Sequence, residues 1–114
     1  MEQGVQNVIS SVDTPGTSRR IALSPLDRLA ARSEVSALPL HDELVLYDGR
    51  SGQTYVLNQT GAYVWNLCDG ARTLQMIIRA TAIAHGVDEW RASADVRAFV
   101  DELRRADLLV IALV

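Results

Sequence analysis

The stretch "ELVLYDGRSGQTYVLNQTGAYVWNLCDGARTLQMI", residues 43–77, decides how the rest of the chain is read, because its character changes halfway. "ELVLYD" is rich in the aliphatic and aromatic residues of an extended strand. "DGRSGQ", Asp48 to Gln53, supplies two glycines for a hairpin loop, and "TYVL", Thr54 to Leu57, returns as the partner strand. The run then breaks at Asn58-Gln59-Thr60-Gly61 and restarts around Trp65 as something helical. We read the break as a strand-to-helix corner: Asn58 ends the strand, Thr60 caps the helix, Gly61 lets the chain turn and Trp65 plugs into the core. The helix itself is expected over about Ala62–Asp69, with Gly70 as its left-handed stop.

Downstream, Thr73 is placed to cap a second helix, "LQMIIRATAIAH", which Gly86 ends. Its apolar residues Leu74, Ile77 and Ile78, with Met76, Ala80 and Ile83 beside them, span a wide arc and predict the most buried helix of the domain. A third helix follows Asp88, with Val96, Phe99, Val100 and Leu103 at helical spacing, and "DLLVIALV" closes the chain as an apolar tail or strand that something must cover. Upstream, "EVSAL" from Glu34 is a further extended segment, giving a small antiparallel sheet of two or three strands. The first third reads differently. Its Ser, Thr and Pro-Gly punctuation ("SSVDTPGTSRR") predicts a flexible tail over Met1–Arg20, and Ser24-Pro25 can start a short helix through Arg32 with Leu26, Leu29 and Ala30 as its apolar stripe. Residues 1–33 are therefore expected to form a largely flexible N-terminal extension and residues 34–114 a domain of the α+β class, winged helix-turn-helix-like, with the sheet packed on three helices.

Composition excludes more than it selects. The chain has 114 residues, 48% of them hydrophobic, enough for one modest core. It carries a net charge of −3, and all 11 of its basic residues are arginine. That balance argues against a nucleic-acid binder relying on phosphate neutralisation. Cys68 is alone, no apolar run reaches the roughly 20 residues a membrane span needs, and Met1–Ser11 lacks a signal-peptide pattern; the expectation is a cytoplasmic protein without membrane partner. Catalysis finds no nucleophile-and-base pair, since His41 precedes a strand, His85 ends a helix and Cys68 reads as a buried structural residue. Without a C-x-x-C or H-x-x-x-H pattern no metal or other cofactor is expected. "NQT" at Asn58–Thr60 matches a glycosylation acceptor only formally.

A more specific reading comes from an ordered set of residues: Leu46–Asp48 before the loop, Leu57-Asn58 with Thr60-Gly61, Trp65, Asp69-Gly70 before Thr73, then Asp95-Val96, Phe99, Leu103 and Leu108-Leu109. Over residues 38–110 this pattern resembles the PqqD-like family, the peptide-binding domains also called RiPP recognition elements. The resemblance implies a non-catalytic adaptor that binds the leader segment of a ribosomally made precursor peptide and presents it to a modifying enzyme, a radical S-adenosylmethionine enzyme or a leader peptidase. In the family the leader adds as a strand to the sheet edge and lies between the third strand and the third helix. Backbone bonds then supply a sequence-tolerant grip and alternate side chains the selectivity.

On that reading the peptide-binding residues are Gln53, Thr54, Tyr55, Val56 and Leu57 on the strand, with Trp90, Arg97 and Arg104 from one flank of the third helix. The other flank carries Asp95 and Glu102. An acidic, apolar leader would favour the arginine flank, because guanidinium groups pair with carboxylates in a fixed fork; for any one of these arginines the plainer reading is a solvated helix face, and for Trp90 a packing lid. A free sheet edge is also an association hazard, which makes a homodimer, through that edge or through a swap of the N-terminal segment, a further expectation. The competing class is a winged-helix DNA-binding or transcription-regulating domain with its third helix in the major groove. Asp95, Asp101, Glu102 and Asp107 on and beside that helix would meet phosphates with like charge, so no nucleic-acid partner is expected.

Overall fold

The computed structural model of the chain describes residues 23–112. Their elements run β1 (Arg28–Ala31), β2 (Val35–Leu40), β3 (Glu43–Asp48), β4 (Thr54–Leu57), α1 (Gln59–Leu67), β5 (Asp69–Thr73), α2 (Leu74–His85), α3 (Glu89–Arg105) and β6 (Leu109–Ala112). The α+β class and the three helices agree with the sequence reading, and the strand there counted third is β4. The tail expected over Met1–Arg20 lies outside the described residues.

There are two antiparallel three-stranded sheets rather than one. The first, ordered β2-β3-β4, is the expected one, with Leu46 opposite Tyr55 and Leu44 opposite Leu57 on the face that meets the helices. The second, ordered β5-β1-β6, was not foreseen. Its central strand is Arg28–Ala31, where a short helix was expected. Leu29, fully buried, is the reason: an isolated two-turn helix has little to stabilise it, whereas an extended segment pairs on both sides, Leu29 with Ile111 and Arg28 with both Ala112 and Thr73. The closing apolar residues become β6 and are covered by this pairing, with Leu108 and Leu109 buried.

Both ends of α1 depart from the sequence reading. Asn58, not Thr60, caps α1, its side-chain oxygen accepting from the Gly61 N–H at 2.9 Å. The helix stops at Leu67, and Gly70 takes its positive φ of 82° inside β5, where the β1–β5 register slips. The expected cap and stop of α2 are present: Thr73 accepts from the Met76 N–H at 3.2 Å, and Gly86 ends the helix at φ 63°. Asp88 precedes α3 but makes no side-chain cap bond. Leu74, Ile77 and Ile78 are buried as expected, while Met76 and Ile83 are on the outside of α2, because its inner face is filled by Thr81 and Ala82. On α3 the buried stripe is Ala92, Val96, Val100 and Leu103, with Phe99 at its margin, and Trp65 is buried as expected.

Residues 23–33 take part in this core. Leu23 is buried, and the carbonyls of Asp27 and Pro25 accept from the Leu74 and Gln75 N–H groups at 2.7 and 2.9 Å, satisfying two orphan donors at the start of α2. Burial of a leucine stabilises by about 1.5–3 kcal/mol, so Leu23 and Leu29 together account for a large part of a net stability on the order of 5–15 kcal/mol. Deleting residues 1–22 is therefore expected to leave a cooperative thermal transition, and deleting 1–33 to abolish it. Circular dichroism melts of the two truncations check this; two equal transitions would be inconsistent with a structural role for β1.

Candidate functional site

Among the described residues β4 pairs with β3 alone, which leaves one of its edges uncovered. The Asp48 N–H donates to the Gln53 carbonyl at 3.0 Å. Because bonding alternates along an antiparallel ladder, Tyr55 and Leu57 then turn their backbone groups to β3, and the backbone groups of Val56 face the outer edge. Side chains alternate in the perpendicular direction: Tyr55 and Leu57 are buried in the core, while Val56 is half-buried and Thr54 exposed on the other face. Burial pushes the Tyr55 hydroxyl above its usual range. Tyr55 and Leu57 thus shape the strand from inside, and a ligand at the edge would meet the backbone of Val56.

A cavity of about 520 Å³ begins where β4 ends. Asn58 forms its near wall, Thr60 and Val64 of α1 one side, His85 at the end of α2 the back, and Asp95, Phe99 and Glu102 of α3 the other side. His85 is oriented by two contacts, Nδ1 lying 3.1 Å from the Thr81 carbonyl and the ring edge-on to Tyr63 at 5.7 Å. Asp95 and Glu102 make no hydrogen bond or ion pair through their side chains among the described residues. Partial burial raises the Glu102 carboxyl above its ordinary value, against the opposing pull of nearby Arg105.

The residues singled out from the sequence fall into separate places. Gln53–Leu57 lie together on and before β4. Trp90 stands 74% exposed at the start of α3, outside the cavity and not serving as a lid on the core. Arg97 is on the opposite flank of α3, where its Nη1 donates to the Leu23 carbonyl at 2.9 Å and its Nε to the Ser93 hydroxyl at 3.3 Å. Arg104, beside Asp101, borders a second cavity with Asp107 and β6. The structure therefore brings the Asp95, Phe99 and Glu102 flank, not the Arg97 and Arg104 flank, to the groove at the end of β4. Spacing alone identifies both flanks, but which of them faces outward depends on where Leu23 and the segment after it pack, and the sequence reading places a short helix there from Ser24-Pro25 through Arg32.

The hairpin that presents β4 is fastened by a charged knot. Asp48, 2% exposed, accepts from Arg50 Nη2 at 2.9 Å and Nε at 3.1 Å and from the Ser51 hydroxyl at 3.1 Å. Arg50 also donates to the Asp107 carbonyl at 2.9 Å and to its carboxylate at 3.2 Å, and Arg32 reaches the same carboxylate at 3.1 Å. Loop, α3–β6 turn and the segment after β1 are thus joined at one point. The Arg50 side chain is the main cause that holds the Asp48 carboxyl down at about 2, and Asp107 is lowered too, chiefly by Arg50.

Other chemistry is not assembled. No group of three His, Cys, Asp or Glu among the described residues could hold a metal ion. Cys68 is buried, with its Sγ 3.3 Å from the Val64 carbonyl and its thiol pushed up to about 12 by desolvation, which leaves almost no thiolate at neutral pH. No helix among the described residues is long and apolar enough to cross a membrane.

Three helices with small antiparallel sheets form an α+β fold consistent with a RiPP recognition element. The PqqD family, described as coenzyme PQQ synthesis protein D, matches residues 43–109, and the chain belongs to that family. Among solved structures, one described as "TbiB1 in Complex with the TbiA(beta) Leader Peptide" is similar, with a TM-score of 0.66 and 25% identity, covering 70% of this chain and 93% of the other. No curated protein matches in sequence.

The knot makes stability depend on acid. The Asp48 carboxyl is lowered from an ordinary 3.8 to about 2, so its contribution is complete above about pH 4 and is lost as the pH falls towards 2. Asp48→Asn is expected to lower Tm by several degrees at pH 7 and to flatten the fall of Tm between pH 4 and 2, with a residual slope from Asp107 and Asp69, which are also lowered. Melting curves at half-unit pH steps measure both effects; an unchanged slope in the variant would remove Asp48 from this role.

Proposed function

We propose that the protein is a peptide-binding adaptor that takes the leader segment of a ribosomally synthesised precursor peptide as an added strand along β4 and delivers it to a modifying enzyme, either a radical S-adenosylmethionine enzyme or a leader peptidase. The single observation that carries the reading is the uncovered edge of β4 running into a mostly apolar groove against α3. Family membership and the likeness to a protein solved with its leader peptide support it. An added strand of four to six residues offers that number of backbone bonds, about 4–6 kcal/mol in all at a net ~1 kcal/mol each, short of the roughly −8 kcal/mol of a micromolar complex. Seating a side chain in the groove beside Phe99 supplies the remainder.

The direct test is a fluorescence-polarisation titration of the full chain with the labelled leader of any short precursor-like reading frame that a search beside its gene yields. Saturable micromolar or tighter binding that resists moderate salt is expected. Submicromolar, steeply salt-dependent binding to nonspecific duplex DNA, with none to the leader, would favour a DNA-binding domain instead.

The edge geometry also separates two prolines. Val56→Pro removes an N–H that faces outward, so it is expected to weaken the leader complex about three- to tenfold, the equivalent of one backbone bond, with little change in Tm, since proline is tolerated on edge strands. Tyr55→Pro removes an N–H bonded to β3 and is expected to disrupt folding. Equal binding by Val56→Pro and the wild type would move the peptide off this edge.

A further inference from the structure

The groove at the end of β4 is lined by two carboxylates and no guanidinium, in a chain whose basic residues are all arginine. The arginines of α3 nearest its core stripe are engaged elsewhere, Arg97 at the Leu23 carbonyl and Arg104 beside Asp101. Asp95, Phe99 and Glu102 follow one another at i, i+4 and i+7, so they form a single row with the aromatic ring between the two acids. Neither acid makes a side-chain hydrogen bond or ion pair among the described residues, and Arg105 acts on Glu102 only from a distance.

We propose that the peptide segment seated in this groove is basic, with an apolar side chain against Phe99 and lysine or arginine on the same side of the extended chain reaching Asp95 and Glu102. The inference rests on the peptide-binding reading above and specifies the class of peptide. It reverses the charge preference that the arginine flank had suggested from sequence.

Distances along the two backbones are compatible. Seven helical residues separate the acids by about 10.5 Å along the axis. Side chains on one face of an extended peptide recur about every 6.6–6.8 Å, so a basic residue two positions before and another two positions after the apolar anchor bracket the row, within reach of their long stems. The energetics discriminate in the same direction. Seating an apolar anchor strips water from Glu102, whose carboxylate is already partly desolvated, and a cation arriving with the peptide adds to the partial compensation from Arg105. An acidic peptide would add a third and fourth negative charge beside two carboxylates that make no ion pair of their own.

The test uses a yeast-displayed library of random 12-residue peptides sorted against the full-length wild-type protein and against the Asp95→Arg/Glu102→Arg variant, with melting curves confirming that both are folded. Wild-type selections should be enriched at least about threefold in lysine and arginine two positions from the apolar anchor, and the variant's selections should shift to aspartate and glutamate. For one selected basic peptide, the milder Asp95→Asn/Glu102→Gln variant is expected to raise Kd about tenfold and to reduce its salt dependence, whereas Asp42→Asn/Glu43→Gln, which removes the same charge from the β2–β3 turn, should leave Kd within about twofold. Selected peptides without basic enrichment, or equal losses in the two neutralised variants, would overturn the charge assignment while leaving peptide binding intact. Failure to select any peptide above background would overturn both.

Discussion

Asp48 is a nearly buried carboxylate at the last position of a strand, and a charge in that place is stable only if it is fully bonded. Arg50 satisfies it from two residues away and, with the rest of its guanidinium, holds Asp107 at the end of α3. The consequence is geometric. β4 leaves the loop that this knot closes, and α3 ends at the turn the knot grips, so one ion cluster ties the strand with the open edge to the helix that forms one side of the groove. Asp107 keeps a positive φ of 66° to bring its carbonyl and carboxylate to Arg50, a conformation aspartate tolerates better than most residues. Removing the knot would leave both elements in place but free to move relative to each other.

Much of this was legible in the sequence wherever the cause is local. The β3–β4 hairpin, the caps of α2 at Thr73 and Gly86, and the burial of Trp65 follow from residues within a few positions of one another. The second sheet was not legible. β1 has only four residues, and what makes it a strand is Leu109–Ala112, some eighty residues later, together with Asp69–Thr73. Leu26, Leu29 and Ala30 fit a helical stripe just as well until those partners are known, and in the fold Leu26 is 72% exposed while Leu29 is buried. The same non-local fact hid the orientation of α3. Arg97 and Asp95 are two residues apart, the sequence reading favours the arginine flank for an acidic leader, and the bond to the Leu23 carbonyl instead assigns Arg97 to the support of the fold.

The edges of the first sheet are not equivalent, and this bears on where a peptide could add. β2, the other outer strand, contains Pro39, which has no N–H to offer, a common way of protecting an edge from pairing. β4 has no proline and runs into an apolar groove at its end. An edge left open in one place and blocked in another fits a surface meant to receive a strand from a defined partner, and pairing between copies of the chain would compete for the same groups. On the proposed reading, one scaffold accepts varied leaders because the backbone grip is indifferent to sequence, and the side chains beside the strand set what is accepted.

Residue-resolved amide hydrogen exchange on the full chain, with and without a saturating leader peptide, addresses the site of strand addition most directly. Slowed exchange at the Val56 amide, together with amides along the groove side of α3, is the outcome expected of a strand bound at β4. Protection confined to the β2 or β6 edge, with Val56 exchanging at the same rate in the free and bound protein, would contradict it.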